Sequence, residues 1–186
     1  MWLNFSLGRY YLALALAAGW AMGCSSPEEP AIAGRTRTLP DTQGNATAGR
    51  EIFFRKASPK CFICHAIGAD KEKAGPNLQD VGTRYDRGEL LDALLHPSRQ
   101  IADGFSVQII ETQSQGLVVG VVARETPSLL IRNELGDEIA VSLDQVLSRR
   151  TSERSMMPDD LIDSLSDQDL LDLLAFLESL AGEPAR

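Results

Sequence analysis

Cysteine is scarce in this chain of 186 residues, which has only three: Cys24, Cys61 and Cys64. Three cysteines cannot build the disulfide framework of a small exported domain, because such a framework needs several pairs. Their spacing separates a lone Cys24 near the start from the close pair Cys61 and Cys64. We therefore expect the pair to carry chemistry and the lone cysteine to serve another purpose.

Basic side chains are also few, with 18 Lys and Arg against 26 Asp and Glu and a formal net charge of -8. Residues 1–23 contain one charged side chain, Arg9, so their removal would take the net charge from -8 to -9. A chain this acidic repels phosphate backbones, which excludes nucleic acid as an expected partner. A protein with a basic docking surface is the better expectation.

Long hydrophobic runs are missing as well, since the apolar run at residues 10–22 is shorter than the roughly 20 residues of a spanning helix. Together with Arg9 before it, the run predicts a signal peptide over residues 1–23 and hence export. The stretch Ala21-Met22-Gly23 before Cys24 resembles the lipobox of bacterial lipoproteins, which makes Cys24 the expected lipidation site. An ordinary signal peptide cut nearby is the alternative. Residues 24–45 are rich in Ser, Pro, Gly and charge and are expected to form a lipidated, flexible tether.

Three helices are predicted from capping residues and apolar periodicity. Thr47 is a candidate N-cap for a short helix ahead of the cysteine pair. Leucines at helical spacing predict a second helix over residues 87–95. Ser166 is the expected N-cap of the last helix, with Asp167 and Asp169 near the positive end of its dipole.

Between the second and last helices the pattern changes to short runs of Val and Ile over residues 107–146. The runs are separated by Gly116, Thr126-Pro127 and Gly136-Asp137, which are typical turn residues. We expect about four short strands forming a β-meander.

The segment CFICH, residues 61–65, has the C-x-x-C-H pattern of covalent haem attachment. Residues three apart on one helical turn share a face, so the thiols of Cys61 and Cys64 can reach the two vinyl groups of one haem. His65 then presents its imidazole to the iron from the same side. The pattern predicts one covalent haem c with His65 as an iron ligand.

Two other interpretations of the cysteine pair are weaker. A zinc site normally has four ligands, and apart from scattered acids only Cys24 and His96 remain as candidates. A thioredoxin-like redox pair would follow a strand in a βαβ pattern, which is not found before residue 61.

The second axial iron ligand is approached by elimination. Beyond residue 23 the chain has two methionines, Met156 and Met157, and the only other histidine is His96. Met157 is favoured because Pro158 fixes the loop that must aim the sulfur at iron. Met156, His96 and an open sixth position stay as alternatives, and His96 is expected to cap the end of its helix.

On these motifs the chain resembles class I cytochromes c over about residues 46–183, apart from the strand-rich insertion. In that family a glycine and an aromatic residue of the N-terminal helix pack across the C-terminal helix, as Gly49 and Phe53 would against Phe176 and Leu177. The segment starting Gly75-Pro76 is similar to the family loop whose proline carbonyl accepts a hydrogen bond from the proximal imidazole. The resemblance implies that Pro76 orients His65.

More closely, the order of GREIFF, CFICH, GPNL, LLHPSRQI, a β insertion and the MPDD segment is similar to the haem-binding domain of planctomycete and verrucomicrobial type. The expected fold class is therefore mainly α, a cytochrome c-like helical haem domain at residues 46–183 with a small antiparallel β-meander inserted at about 107–147. The meander would cover one haem edge or form a docking surface.

The expected function is that of an exported mono-haem electron carrier and not an enzyme. It would work in the periplasm or at the cell envelope, anchored to a membrane by its lipid, and serve a redox protein such as a dehydrogenase or oxidase. Apolar walls would keep water from the haem, and a basic side would dock the partner. The expected walls are Phe53, Phe54, Phe62 and Leu78, and the expected basic side is Lys56, Lys60, Lys71 and Lys73. A haem enzyme or gas sensor with an open iron position, and an interaction module built on the meander, are the alternatives.

Overall fold

The computed structural model describes residues 35–55, 59–68 and 73–182. The expected signal peptide, the expected lipidation site Cys24, and Lys56 and Lys71 of the expected basic side lie outside the described residues. In the described part, no helix is both long enough and apolar enough to cross a membrane.

Helices flank a block of strands along the described chain. The α-helices are α1 (Ala46–Phe53), α2 (Cys61–Cys64), α3 (Val81–Arg84), α4 (Arg87–Leu95) and α5 (Asp167–Glu178). The strands are β1 (Val107–Thr112), β2 (Gly116–Glu125), β3 (Ser128–Arg132), β4 (Glu138–Ser142) and β5 (Val146–Thr151). A short 3₁₀ turn at Leu143–Gln145 lies between β4 and β5.

Side-chain caps set where the longer helices begin. The predicted helix over residues 87–95 is confirmed as α4, and Asp86 and Glu89 form a capping box at its start. Ser166 caps α5 as predicted, in a second capping box with Asp169. The prediction for α1 is wrong in its cap, because Asn45 accepts hydrogen bonds from the backbone N–H groups of residues 47 and 48.

Helix α1 packs directly against α5. A Cβ atom on Gly49 would lie 1.9 Å from the backbone oxygen of Asp172, so only glycine allows this close approach. One turn further on, the rings of Phe53 and Phe176 have centroids 5.6 Å apart. The predicted packing of Gly49 and Phe53 against α5 is thus confirmed, and it centres a buried cluster shared by the helices.

The strands form one antiparallel sheet in the order β4-β3-β2-β1-β5. On β1, which lies next to the edge strand β5, Ile110 pairs with Val118 of β2 on one side and with Arg149 of β5 on the other. One face buries a cluster of its own, made of Ile110, Val118, Leu129, Ile131 and Val141. The chain enters and leaves the sheet at neighbouring points, because the backbone N–H of Ser152, just after β5, donates to the carbonyl oxygen of Val107, the first residue of β1, at 2.8 Å.

The prediction of a mainly α, cytochrome c-like helical fold is wrong. The described residues are 28% helical and 23% strand, with short helices beside a five-stranded sheet. A small inserted meander was expected to pack against the helical core. Instead, the sheet has a buried cluster of its own, in which aliphatic side chains of the strands pack against one another. The described part of the chain is therefore a mixed α and β structure with two buried clusters.

Candidate functional site

A cavity of about 240 Å³ opens among the helices. Its volume is far above the roughly 10–15 Å³ that one water molecule needs on the same measure, so it can hold a large ligand group. The lining is mostly apolar and comes from the CFICH turn, from residues 74–85, from α4 and the chain after it, from residues 155–161 and from α5. The members that carry chemistry are Cys61, Cys64, His65, Met156 and Met157.

The CFICH motif folds as one helical turn, α2, followed by an extended residue. Cys61 and Cys64 stand three residues apart on this turn, and both are free thiols. At the end of the turn the backbone N–H of His65 donates to the Cys61 carbonyl at 3.0 Å, and the chain then extends with φ -113° and ψ 134°. The turn thus brings two thiols and one imidazole to the wall of the same cavity.

The His65 ring is held from behind by the segment that starts at Gly75. Its Nδ1 atom lies 2.9 Å from the carbonyl oxygen of Pro76. A carbonyl can only accept, so Nδ1 carries the proton and donates, and Nε2 keeps the lone pair that a metal needs. A second bond fixes this segment, because the Gly75 N–H donates to the Cys64 carbonyl at 2.7 Å.

Burial disfavours charge on the groups of the motif. Removal from water is the main reason why the pKa of Cys61 rises to about 11. The pKa of Cys64 also rises because of burial, with Lys73 opposing the rise and Glu134 of the β3–β4 turn adding to it. Burial lowers the pKa of His65, against the hydrogen bond to Pro76, so the ring is neutral near neutral pH and able to bind a metal.

The two methionines line the cavity from the loop that leads from β5 to α5. Two serine hydroxyls hold this loop. The backbone N–H of Met157 donates to Oγ of Ser155, and the N–H of Ser155 donates to Oγ of Ser98, each at 3.1 Å. Met157 also packs against the helical cluster that contains Cys61.

The third candidate ligand, His96, does not line the cavity. It is the C-cap of α4, where its N–H donates to the carbonyl of Asp92 at 2.7 Å and its Nε2 lies 3.9 Å from the Asp92 carboxylate. Across residues 35–55, 59–68 and 73–182, no group of three or more His, Cys, Asp or Glu side chains is placed to hold a metal ion.

The apolar residues that line the cavity are only partly the expected ones. Phe53 and Leu78 line it, whereas Phe54 and Phe62 do not. The chain after α4 supplies a wall that the sequence did not indicate, including Ile101 and Phe105. This stretch, PSRQIADGF, has no regular apolar period, so no sequence signal was available.

The sheet borders the cavity without lining it. Among the described residues, none of β1–β5 belongs to the lining, although the segments before β1 and after β5 both do.

Comparison with known protein families and with curated proteins found no match for this chain.

Proposed function

We propose that this protein is a mono-haem c-type cytochrome that carries one electron at a time between protein partners. The observation that carries the proposal is the convergence of Cys61, Cys64, His65 and Met157 on one apolar cavity. The resemblance of the CFICH and GPNL segments to haem-binding domains adds to it. The proposal concerns the site and does not depend on a helical cytochrome fold.

The donor set fits a haem. The thiols of Cys61 and Cys64 would each add across a vinyl group, forming a C–S bond and consuming no oxidant. Neutral His65 would bind the iron through Nε2 while Pro76 fixes its ring and raises its basicity. Met157 would supply a thioether sulfur from the facing loop, with Met156 as the fallback.

Bound haem supplies a one-electron ferric–ferrous couple, and ligation by His and Met raises its potential. The residues of the chain hold the ligands in place and exclude water. Leu173 and Leu177 of α5 and Leu94 of α4 contribute apolar wall to the cavity. No side chain is required to act as an acid or base, so we assign no enzymatic activity.

The proposed partner is an exported or membrane-bound redox protein, and the proposed location is the cell envelope, with Cys24 as a lipid anchor. Two lysines flank the motif in the described part. Lys60 is the residue before α2 and lines the cavity, and Nζ of Lys73 donates to the carbonyl of Phe62. They give the haem side a positive character on an otherwise acidic chain, which favours docking by that side.

The decisive experiment is the absorption spectrum of the protein made in a host that matures c-type haem. We expect covalent haem, together with the weak red band that marks methionine sulfur on ferric iron. The band should be lost in Met157→Ala and kept in Met156→Ala, a matched control one residue away that lines the same cavity.

Loss of the band in Met156→Ala alone would show that Met156, and not Met157, is the iron ligand. Absence of the band in the wild type, with carbon monoxide uptake by the reduced protein, would contradict the carrier and favour a haem enzyme or sensor. Absence of covalent haem would contradict the proposal altogether.

A further inference from the structure

Two arginines just before α1 bind the loop that follows Met157. All three guanidinium nitrogens of Arg37 donate hydrogen bonds. Nη2 donates to the carbonyl oxygen of Leu165 at 2.7 Å and Nη1 to that of Ile162 at 3.4 Å. Nε donates to Oδ1 of Asp167 at 2.9 Å. Arg35 donates to the backbone carbonyl of Asp159 and to the carboxylate of Asp163. A segment that composition suggests is a tether therefore holds the stretch from residue 159 to 167.

The loop is not helical, so its carbonyl oxygens take partners from turn hydrogen bonds and from these arginines. The Ile162 carbonyl accepts from the N–H of Leu165 at 3.1 Å as well as from Arg37, and the Leu165 carbonyl accepts from Arg37 at 2.7 Å. Residues 159–164 form consecutive turns, and the carbonyls of Ile162 and Leu165 lie before the first residue of α5. The side chains of Ile162 and Leu165 are nearly fully buried, while Leu161 lines the cavity. A loop with buried side chains needs partners for its backbone oxygens, and charged donors make the stronger bonds.

The bonds to carbonyl oxygens matter more here than the ion pairs. Asp163 and Asp167 are each more than half exposed, and exposed pairs contribute little to stability. The Arg37 side chain is only 23% exposed and reaches two backbone oxygens that fix the course of the loop. A planar fork can bind several acceptors at once, which a lysine ammonium on a flexible stem does less well.

We propose that Arg37, supported by Arg35, is a positioning residue that holds the sulfur of Met157 toward the iron. This inference rests on the proposed function. Residues 155–158 are held by Ser155 and Ser98 on one side. On the other side they lead directly into the arginine-bound stretch, where the N–H of Leu161 donates to the carbonyl oxygen of Pro158 at 3.4 Å. Loss of Arg37 releases the second side, so the methionine leaves the iron more often while the two thioethers and His65 remain.

The test is the competition between added imidazole and Met157 for the ferric iron of the full-length haem protein. Imidazole binds only when the methionine is away, so its apparent dissociation constant reports the fraction of protein with an open position. For Arg37→Ala we expect the apparent constant to fall about tenfold, the effect of losing hydrogen bonds worth roughly 1.4 kcal/mol. Arg37→Lys should show a smaller fall in the same direction.

Three control variants separate positioning from general stability. Arg55→Ala removes an arginine whose partner, Asp169, lies within α5 at 3.8 Å, and it should leave the imidazole affinity unchanged. Asp167→Asn removes the exposed ion pair while keeping both carbonyl bonds, and it should also have little effect. In a Met157→Ala background, Arg37→Ala should have no effect at all, because the sixth position is then already open.

An unchanged imidazole affinity in Arg37→Ala, with the red band present in the wild type, would overturn this inference and leave the proposed function standing. An equal effect of Arg37→Ala in the Met157→Ala background would overturn it too, since Arg37 would then act elsewhere. If Arg37→Ala fails to fold, Arg35→Ala and Arg37→Lys take its place and must lower the apparent constant. A wild type without the band would overturn the proposed function and, with it, this inference.

Discussion

At the scale of single residues, Gly75 lies so close to His65 that a side chain at position 75 has no room. A Cβ atom at position 75 would lie 2.7 Å from Cε1 of His65 and 2.9 Å from both its Nδ1 and the carbonyl oxygen of Cys64. The same segment carries the Pro76 carbonyl that binds Nδ1. Glycine at position 75 thus lets the carbonyl reach the ring without pushing it away.

For Gly75→Ala we expect a loss of about 1–3 kcal/mol in the free energy of unfolding, because the extra methyl group overpacks the site. The His65 ring must move, its bond to Pro76 weakens, and a less basic imidazole raises the reduction potential. Urea unfolding and a redox titration of the haem protein measure the two effects.

Gly88→Ala is the matched control, since a Cβ there meets only Oδ1 of Asp86 at 3.3 Å. That oxygen also caps α4 by accepting from the N–H of Glu89, so its displacement offsets the usual gain from alanine in a helix. We expect the free energy of unfolding to change by less than about 1 kcal/mol and the potential to stay unchanged. Equal stability and equal potential in Gly75→Ala and the wild type would show that the close approach has no role.

The residues of the site were the most predictable part of the molecule. The CFICH pattern, Pro76 and the two methionines were all named from sequence, and the structure brings them to one cavity. CFICH is a short motif whose chemistry depends on local spacing, Pro76 follows from the resemblance, and the methionines follow from elimination because the chain has only two beyond residue 23. Arg37 was missed because its partners, residues 162 and 165, are far away in sequence, and no local pattern reports such a contact.

At the scale of elements, the residues that the structure describes form two separate buried clusters. The helical cluster contains Cys61 and Leu173, and Leu173 also lines the cavity. The sheet cluster contains Ile131, which is fully buried and lies outside the cavity lining. Leu173 and Ile131 are therefore similarly buried, but only Leu173 lines the cavity.

Leu173→Ala and Ile131→Ala are each expected to cost about 2–5 kcal/mol of unfolding free energy, because each leaves a hole in a packed cluster. Only Leu173→Ala should also lower the reduction potential of the proposed haem, by letting water approach it. Urea unfolding followed by redox titration distinguishes the variants. A shift in potential of similar size in Ile131→Ala would contradict the separation of the two clusters.

The helices have local sequence signals that the edge strand of the sheet lacks, and this is why the predicted fold class was wrong. Helix α4 has leucines at helical spacing and a capping box, so local signals sufficed for it. Strand β5, of sequence VLSRRT, pairs only with β1 at the edge of the sheet, and most of its residues are exposed. An exposed edge strand lacks apolar alternation, so the expected four-strand meander missed it and the sheet was underestimated.

At the scale of the whole molecule, the sheet links two walls of the cavity. Strands β1 and β5 are neighbours, so the chain enters and leaves the sheet at one place. The segment after α4 therefore ends beside the start of the loop that carries Met156 and Met157. A hydrogen bond from the N–H of Ser155 to Oγ of Ser98 joins the two segments. The long sequence gap between His65 and Met157 is thus spanned by an element that returns the chain to where it left.

Export of the whole chain, with cleavage before Cys24, would change its aromatic composition. The two tryptophans, Trp2 and Trp20, both lie in the expected signal peptide, whereas the only tyrosine after residue 23 is Tyr85. Cleavage before Cys24 should therefore give a protein that contains one tyrosine and no tryptophan. Fluorescence of the envelope form unfolded in denaturant should show tyrosine emission alone, while the uncleaved precursor, as the control, should show indole emission. Indole emission from the envelope form would contradict cleavage at this site, and with it the lipid anchor on Cys24.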